Sequence, residues 1–157
     1  MTKLFNIIEP TNAYFGQKDA AQCVMIKRMT EDLNFDIQIN IMPTIRESNG
    51  LAMSSRNAYL TTKQREASSI LYQSLLAARE LYEASFAGQL PLPSTVFQDT
   101  IEESLRSEPM VSDIQYISID DKETMLPLVE VGEEGALISI ACKVGDVRLI
   151  DNIILGR

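Results

Sequence analysis

Residues 50–57 carry the side chains of this sequence best suited to chemistry on a phosphate. They read Gly-Leu-Ala-Met-Ser-Ser-Arg-Asn, so two hydroxyls and a guanidinium follow one another at Ser54, Ser55 and Arg56. Hydroxyl and backbone N–H groups donate hydrogen bonds, and a guanidinium adds a planar fork of charged donors that fits phosphate oxygens. The alternative is a polar turn ahead of a helix, with Asn57 as a local cap.

A second candidate segment, residues 14–19, reads Tyr-Phe-Gly-Gln-Lys-Asp. Gly16 permits a close approach of the backbone to a ligand, and Lys18 and Asp19 add an ammonium and a carboxylate. Lys18 could hold a phosphate, and Asp19 could hold a ribose or a metal. The alternative is an ordinary helix start, at which the carboxylate of Asp19 is favourable because of the helix dipole.

Three further residues extend these two candidate segments. Gln22 follows Asp19 by three residues, which places both on one face of a helix that begins there. The amide of Gln22 donates and accepts, which suits a small hydroxy acid, although a solvated glutamine is the simpler interpretation. Ile45 offers an apolar surface for an adenine, and a plain domain junction predicts the same residue. Arg46 could join Lys18 in a local basic cluster around a nucleotide.

The charge balance excludes two classes of partner. The 157 residues include 14 basic and 22 acidic side chains, for a net charge of −8. General nucleic-acid or membrane-surface binding needs a basic field, so we expect neither partner. No apolar run approaches the roughly 18 residues of a membrane span, and no leader is evident, which predicts a cytoplasmic protein. The chain has no histidine, and Cys23 and Cys142 are predicted to be buried free thiols.

The first part of the chain has the pattern of a βαβ unit. The periodicity predicts a helix over 3–9, a short buried strand over 13–15, a helix over 19–32 and a strand over 36–41. Ile37, Ile39 and Ile41 alternate with polar residues in that last strand and should leave an apolar face uncovered. A right-handed crossover would place the two strands in parallel, with residues 16–19 at the carboxyl end where open α/β sheets bind ligands.

The remainder has the pattern of a compact α+β domain. Thr61 and Gln64 form a capping box that predicts a helix to about Ala84. Residues 88–94 are predicted to be a linker, with Ser94 or Thr95 capping a second helix to about Ser107. Strands are predicted over 114–119, 136–144 and 147–150, as an antiparallel meander. We therefore place the domain boundary between residues 43 and 44.

Taken in order, the motifs resemble the pantothenate synthetase (pantoate–β-alanine ligase) family. The likeness is dense before Leu60 and looser after it. The segments that carry it are residues 6–10, 14–19, 22, 32–33, 43–47, 50–57 and 148–152.

This resemblance implies an ATP-dependent ligase that forms a pantoyl adenylate and then transfers the acyl group to β-alanine. It implies an α/β remnant of a Rossmann-like nucleotide domain (1–43), followed by an α+β C-terminal lid domain with a small antiparallel sheet (44–157). Separately from the resemblance, we expect the chain to form a homo-oligomer, because the strand over 36–41 should have an uncovered edge. Gln22 matches the pantoate-binding glutamine. The residues that match ATP contacts are Gly16, Gln17, Lys18, Asp19, Ile45, Met53, Ser54, Ser55 and Arg56.

The chain departs from the family pattern in one large respect. The family's His-x-Gly-His segment, its catalytic histidine and its Mg²⁺ site are expected upstream of Met1, so no catalytic residue is expected here. The resemblance therefore predicts a C-terminal part that is inactive alone. Two alternatives remain: a non-catalytic interaction or binding module, which the absence of histidine favours, and a related class I nucleotidyltransferase-type protein, against which Gln22 counts.

Overall fold

The protein consists of two compact units. The structure, a computed structural model, describes residues 1–85 and 91–156. Its backbone contacts divide the chain into Met1–Thr44 and Ile45–Arg157. Within the described residues, no helix is both long enough and apolar enough to cross a membrane.

The first unit is a βαβ arrangement preceded by a short helix. Helix α1 spans Thr2–Ile8, strand β1 spans Asn12–Gly16, helix α2 spans Ala20–Asp32 and strand β2 spans Gln38–Met42. The two strands pair in parallel, from Asn12 opposite Gln38 to Gly16 opposite Met42. The predicted crossover between parallel strands is therefore confirmed, with a 3-10 helix over Gln17–Asp19 inserted between β1 and α2.

The burial predicted for the first unit is partly wrong. Tyr14, in the strand predicted to be buried, is 65% exposed. Ile37, Ile39 and Ile41 are half-buried rather than uncovered. Tyr14 is exposed because a parallel sheet needs cover on both faces, and the described part of this unit has only two strands. Its buried side chains are few: Phe5, Ala20, Cys23, Ile26 and Thr30.

The helical part of the second unit begins at the predicted capping box. The Thr61 side chain accepts from the Gln64 N–H, and the Gln64 side chain accepts from the Thr61 N–H. The single helix predicted beyond it is wrong: α3 spans Thr62–Ala67 and α4 spans Ile70–Ser85. The break falls at Ser68 and Ser69, where the hydrogen bonding changes: the N–H groups of Ser69, Leu71 and Tyr72 donate to the carbonyls three residues back, at 3.2, 3.3 and 3.1 Å.

The next elements correct the predicted linker and cap. Of the predicted linker 88–94, residues 88–90 lie outside the described residues, and Leu92–Pro93 forms a short strand, β3. Helix α5 spans Ser94–Arg106 and is preceded by Pro93 as its N-cap, so neither Ser94 nor Thr95 caps it. Ser94 is instead the first helical residue, and its buried hydroxyl has no partner among the described residues.

An antiparallel sheet forms the other layer of the second unit. Strands β4 (Val111–Asp120), β6 (Leu137–Val144) and β7 (Val147–Ile154) lie in the order β4-β6-β7, with β5 (Glu130–Val131) paired to β3. The predicted antiparallel meander is thus confirmed, apart from the two short strands that the sequence pattern missed. Helices α4 and α5 pack with this sheet around a continuous core. Its fully buried members include Leu75, Ala78, Phe97, Ile101, Leu105, Ile138, Ile140 and Val144.

We expect the first unit to associate with a second copy or to be less protected than the sheet of the second unit. β1 and β2 each have an unpaired edge within the described residues, and Ile7 is 80% exposed. Burying such a side chain contributes about 1.5–3 kcal/mol. Light scattering should show a mass that rises with concentration, or hydrogen exchange should be faster in residues 1–42. A strict monomer with uniform protection would contradict this expectation.

Both cysteines should resist alkylation in the folded chain. Burial raises the pKa of Cys142 to about 12, with a smaller contribution from Asp113. Burial also raises the pKa of Cys23, with Asp19 adding to the effect. Because the thiolate is the nucleophile, iodoacetamide at pH 8 should label neither residue quickly, while the chain unfolded in guanidinium should take up two equivalents. Rapid labelling of Cys142 under native conditions would contradict the burial described for β6.

Candidate functional site

The glycine of the candidate segment 14–19 leaves room for a ligand. Gly16 is the last residue of β1, so the segment lies at the carboxyl end of a parallel strand, as predicted. A Cβ built on Gly16 would meet no described atom within 4 Å. Gly16 is also exposed, which leaves space for a close backbone approach.

The charged and polar residues of this segment surround the start of α2. Gln17 and Lys18 are half-buried, whereas Asp19 is exposed. Asp19 is the N-cap residue of α2, yet its side chain makes no capping hydrogen bond. Asp19 therefore lies at the helix start that its alternative interpretation predicts, where a carboxylate is favourable because of the helix dipole. Gln22 is exposed on α2 one turn later, so residues 16–19 and Gln22 lie together in the first unit.

Cys23 contacts the end of β1, which the sequence reasoning did not predict. Its Sγ donates to the Gly16 carbonyl at 3.3 Å, which ties the buried face of α2 to the start of the candidate segment. No sequence signal separates such a cysteine from any other apolar core residue. Its protonated thiol suits a structural role rather than a nucleophilic one.

The candidate segment 50–57 is held in a tight loop of the second unit. Arg46 and Ala52 form an isolated antiparallel bridge, with the Glu47 N–H donating to the Leu51 carbonyl at 2.8 Å. The Met53 N–H donates to the Ile45 carbonyl at 2.9 Å, which brings these two predicted residues together. Their side chains are 56% and 73% exposed, so both remain open to a ligand.

Ser54, Ser55 and Arg56 lie at the start of a 3-10 helix that spans Ser55–Tyr59. Ser54 is its N-cap, and its hydroxyl accepts from the Arg56 N–H at 3.3 Å. Ser55 and Arg56 are exposed, and within the described chain the Arg56 guanidinium makes no hydrogen bond or ion pair. The segment therefore combines an anchored backbone with uncommitted donors.

The alternative interpretation, in which Asn57 acts as a local cap, is wrong on that point. Asn57 is 2% exposed, and its Nδ2 donates to the Glu47 carboxylate at 2.8 Å and to the Ala52 carbonyl at 3.2 Å. Its Oδ1 is buried and has no partner among the described residues. Asn57 therefore links two parts of the loop, at Glu47 and Ala52, and Ser54 is the residue that caps the 3-10 helix.

Arg46 is not part of an open basic cluster, contrary to the prediction. Its guanidinium donates to both carboxylate oxygens of Asp151, at 2.6 and 3.0 Å. It also donates to the Gly50 carbonyl and lies 3.6 Å from the centroid of the Tyr72 ring. Arg46 is thus committed to contacts within the protein, and the sequence contains no local signal for this pairing because Asp151 is 105 residues away.

The described residues offer no evident magnesium site. Across residues 1–85 and 91–156, no group of three or more histidine, cysteine, aspartate or glutamate side chains could hold a metal ion. We therefore assign no residue of this chain to Mg²⁺.

Comparison with known proteins relates both candidate segments to one family. The family model described as pantoate–β-alanine ligase matches residues 1–154. The pantothenate synthetase of Herpetosiphon aurantiacus is 43% identical over 155 residues, which cover 99% of this chain and 54% of that protein. The pantothenate synthetase of Chloroflexus aggregans is 46% identical over 153 residues, covering 98% and 53%.

Solved structures agree with the sequence comparison. The crystal structure of the Thermus thermophilus pantothenate synthetase matches with a TM-score of 0.87 and 35% identity, covering 99% of this chain and 54% of that one. The Francisella tularensis pantoate–β-alanine ligase, complexed with β-γ ATP and β-alanine, matches with a TM-score of 0.60 and 27% identity. The chain spans about half the length of the curated relatives it matches. With its matched residues running from 1 to 154, this chain belongs to the pantoate–β-alanine ligase family.

Proposed function

We propose that this chain is the C-terminal part of an ATP-dependent ligase that condenses pantoate with β-alanine through a pantoyl adenylate. The observation that carries the proposal is the anchored loop ending at Arg56, whose guanidinium is uncommitted within the described chain. Membership of the family and the ligands named for the Francisella tularensis enzyme support the same substrates.

We further propose that residues 1–43 are the remnant of a Rossmann-like nucleotide domain and that residues 44–157 are the lid domain. The parallel pairing of β1 and β2 around α2 supports the first assignment, because this is the repeating unit of doubly wound sheets. The separate core formed by α4, α5 and the antiparallel sheet supports the second.

In this proposal the two candidate segments contact ATP. Gly16, Gln17, Lys18 and Asp19 contact it from the first unit, and the other contacts are Ile45, Met53, Ser54, Ser55 and Arg56. Gln22 binds pantoate, because an exposed amide beside the segment can pair with both a carboxylate and a hydroxyl.

The proposed reaction has two steps, and this chain acts mainly in the first. The pantoate carboxylate attacks the α-phosphorus of ATP and the bond to pyrophosphate breaks, which leaves new negative charge on the departing group. Arg56 and the hydroxyls of Ser54 and Ser55 donate hydrogen bonds to the oxygens that carry this charge. Such donors stabilise the charge more when the protein already holds them in position. The β-alanine amine then attacks the acyl carbon and AMP leaves. Magnesium, when bound, would neutralise phosphate charge, and no residue here is assigned to it.

A non-catalytic binding module is the second candidate function. The full sequence has no histidine, so this polypeptide has no imidazole to act as a general acid or phosphate donor. That observation concerns the polypeptide alone and leaves the proposed role of its residues within a longer enzyme unchanged.

The polypeptide alone should not make pantothenate. A positioned general acid or base contributes about two to four orders of magnitude in rate, and no histidine is present to supply it. Incubation with ATP, Mg²⁺, pantoate and β-alanine should release no AMP above background. Turnover at an ordinary enzymatic rate would show that this chain needs no further part.

Lys18 and Arg56 should affect catalysis more than folding. We suggest a full-length chimera in which this chain replaces the matching part of the Chloroflexus aggregans enzyme. In it, Lys18→Ala or Arg56→Ala should slow pyrophosphate release by about 100-fold, because each removes a positive charge that would stabilise the developing anion. Both side chains lie outside the packed core, so the melting temperature should change little.

Asn57→Ala is the matched control in the same segment. It removes a buried amide that joins Glu47 to the Ala52 carbonyl, so it should cost about 1–3 kcal/mol of stability. If Arg56→Ala instead lowers the melting temperature and leaves pyrophosphate release unchanged, Arg56 is structural and its assignment to ATP is wrong.

A further inference from the structure

A buried ion pair ties the loop ahead of residues 53–56 to the last strand. Arg46 donates through two nitrogens to Asp151 on β7, and the side chain of Asp151 is only 1% exposed. The same carboxylate accepts from the Asn152 N–H at 2.8 Å. A bidentate pair constrains direction as well as distance, so the loop is held in one orientation relative to the strand.

Arg46 also secures the turn of the loop. Its guanidinium donates to the Gly50 carbonyl at 3.0 Å and stacks on the Tyr72 ring of α4. Gly50 has a φ of +91°, and a Cβ there would come within 2.8 Å of Tyr72 Cδ1. One guanidinium therefore contacts the strand, the helix and the turn, which no apolar side chain could do with the same directionality.

A second set of contacts secures the far end of the segment. Beyond residues 53–56, Asn57 donates to Glu47, whose carboxylate also pairs with Arg65 on α3 at 3.3 Å. The Arg65 guanidinium reaches the Asn57 carbonyl at 3.5 Å. Residues 53–56 thus lie between two anchored points, and the deeper anchor is the buried pair.

We propose that Arg46 and Asp151 are positioning residues that hold residues 53–56 in place for the phosphates of ATP. This inference rests on the proposed function, because it concerns the segment assigned there to pyrophosphate. Arg46 does not touch substrate in this proposal, since its described donors are directed to Asp151 and Gly50. A buried ion pair is often no more stabilising than apolar packing, so orientation rather than stability is the property it contributes.

The first test measures the loop directly in this chain. Arg46→Lys keeps the charge but loses the fork and the flat stacking surface. Hydrogen exchange at the Met53 and Asn57 amides should become at least about tenfold faster, with the β6 and β7 amides unchanged. Ile101→Val, a core change in α5, is the control for general loss of stability. Unchanged exchange at Met53 and Asn57, or acceleration spread equally over the sheet, would overturn the proposal.

The second test uses the chimera with the Chloroflexus aggregans enzyme. Arg46→Lys and Asp151→Asn should each lower kcat/KM for ATP by about 10- to 100-fold, and the double variant should be no worse, because both break one link. Ile101→Val should leave kcat/KM unchanged well below its melting temperature. Kinetics unaffected by Arg46→Lys, or lowered equally by Ile101→Val, would overturn the positioning role.

The two tests separate the positioning role from the proposed function. If the unsubstituted chimera folds but makes no pantothenate, the proposed function fails, and the exchange measurement alone decides whether Arg46 holds the loop. If the chimera is active and the exchange at Met53 and Asn57 does not respond to Arg46→Lys, the function stands and the positioning role is refuted.

Discussion

The packing of α4 and α5 against the antiparallel sheet is the interaction on which the second unit depends. Side chains such as Phe97, Ile101 and Ile140 are wholly buried in that layer. Close packing makes the layer stiff, because small displacements open gaps or create clashes. A segment bonded to this sheet is therefore held in a fixed position. The loop that contains Arg46 is bonded to it through Asp151 on β7.

The candidate phosphate segment shows how a polar loop acquires rigidity without entering the core. Its backbone is closed by the bridge between Arg46 and Ala52, and its ends are held by charged and amide side chains. The backbone N–H groups around Ser55 and Arg56 are thereby held in place, whereas the exposed Arg56 side chain still becomes ordered only when a ligand binds. Preorganised donors of this kind are more effective than mobile ones, because reorganisation has already been completed during folding.

Local signals in the sequence predicted most of the elements. The capping box at Thr61, the alternation along β6 and β7 and the pattern around α2 are each contained within a few residues. The break at Ser68 and Ser69 was missed, because serines at which the hydrogen bonding changes look in sequence like any helical serines. The pairing of Arg46 with Asp151 joins residues too far apart for any periodicity to reveal. Burial in the first unit was predicted wrongly in both directions, too high at Tyr14 and too low at Ile37, Ile39 and Ile41, because an apolar pattern in the sequence does not show which other elements cover that face.

The most direct test of the proposed function is pantoate-dependent exchange of labelled pyrophosphate into ATP, measured on the chimera that carries this chain. The exchange reports adenylate formation alone and does not need β-alanine. We predict exchange that requires pantoate and is lost when Arg56 is replaced by alanine. Exchange that is absent from a folded chimera, or that proceeds equally well without pantoate, would contradict the assignment of residues 53–56 to this step.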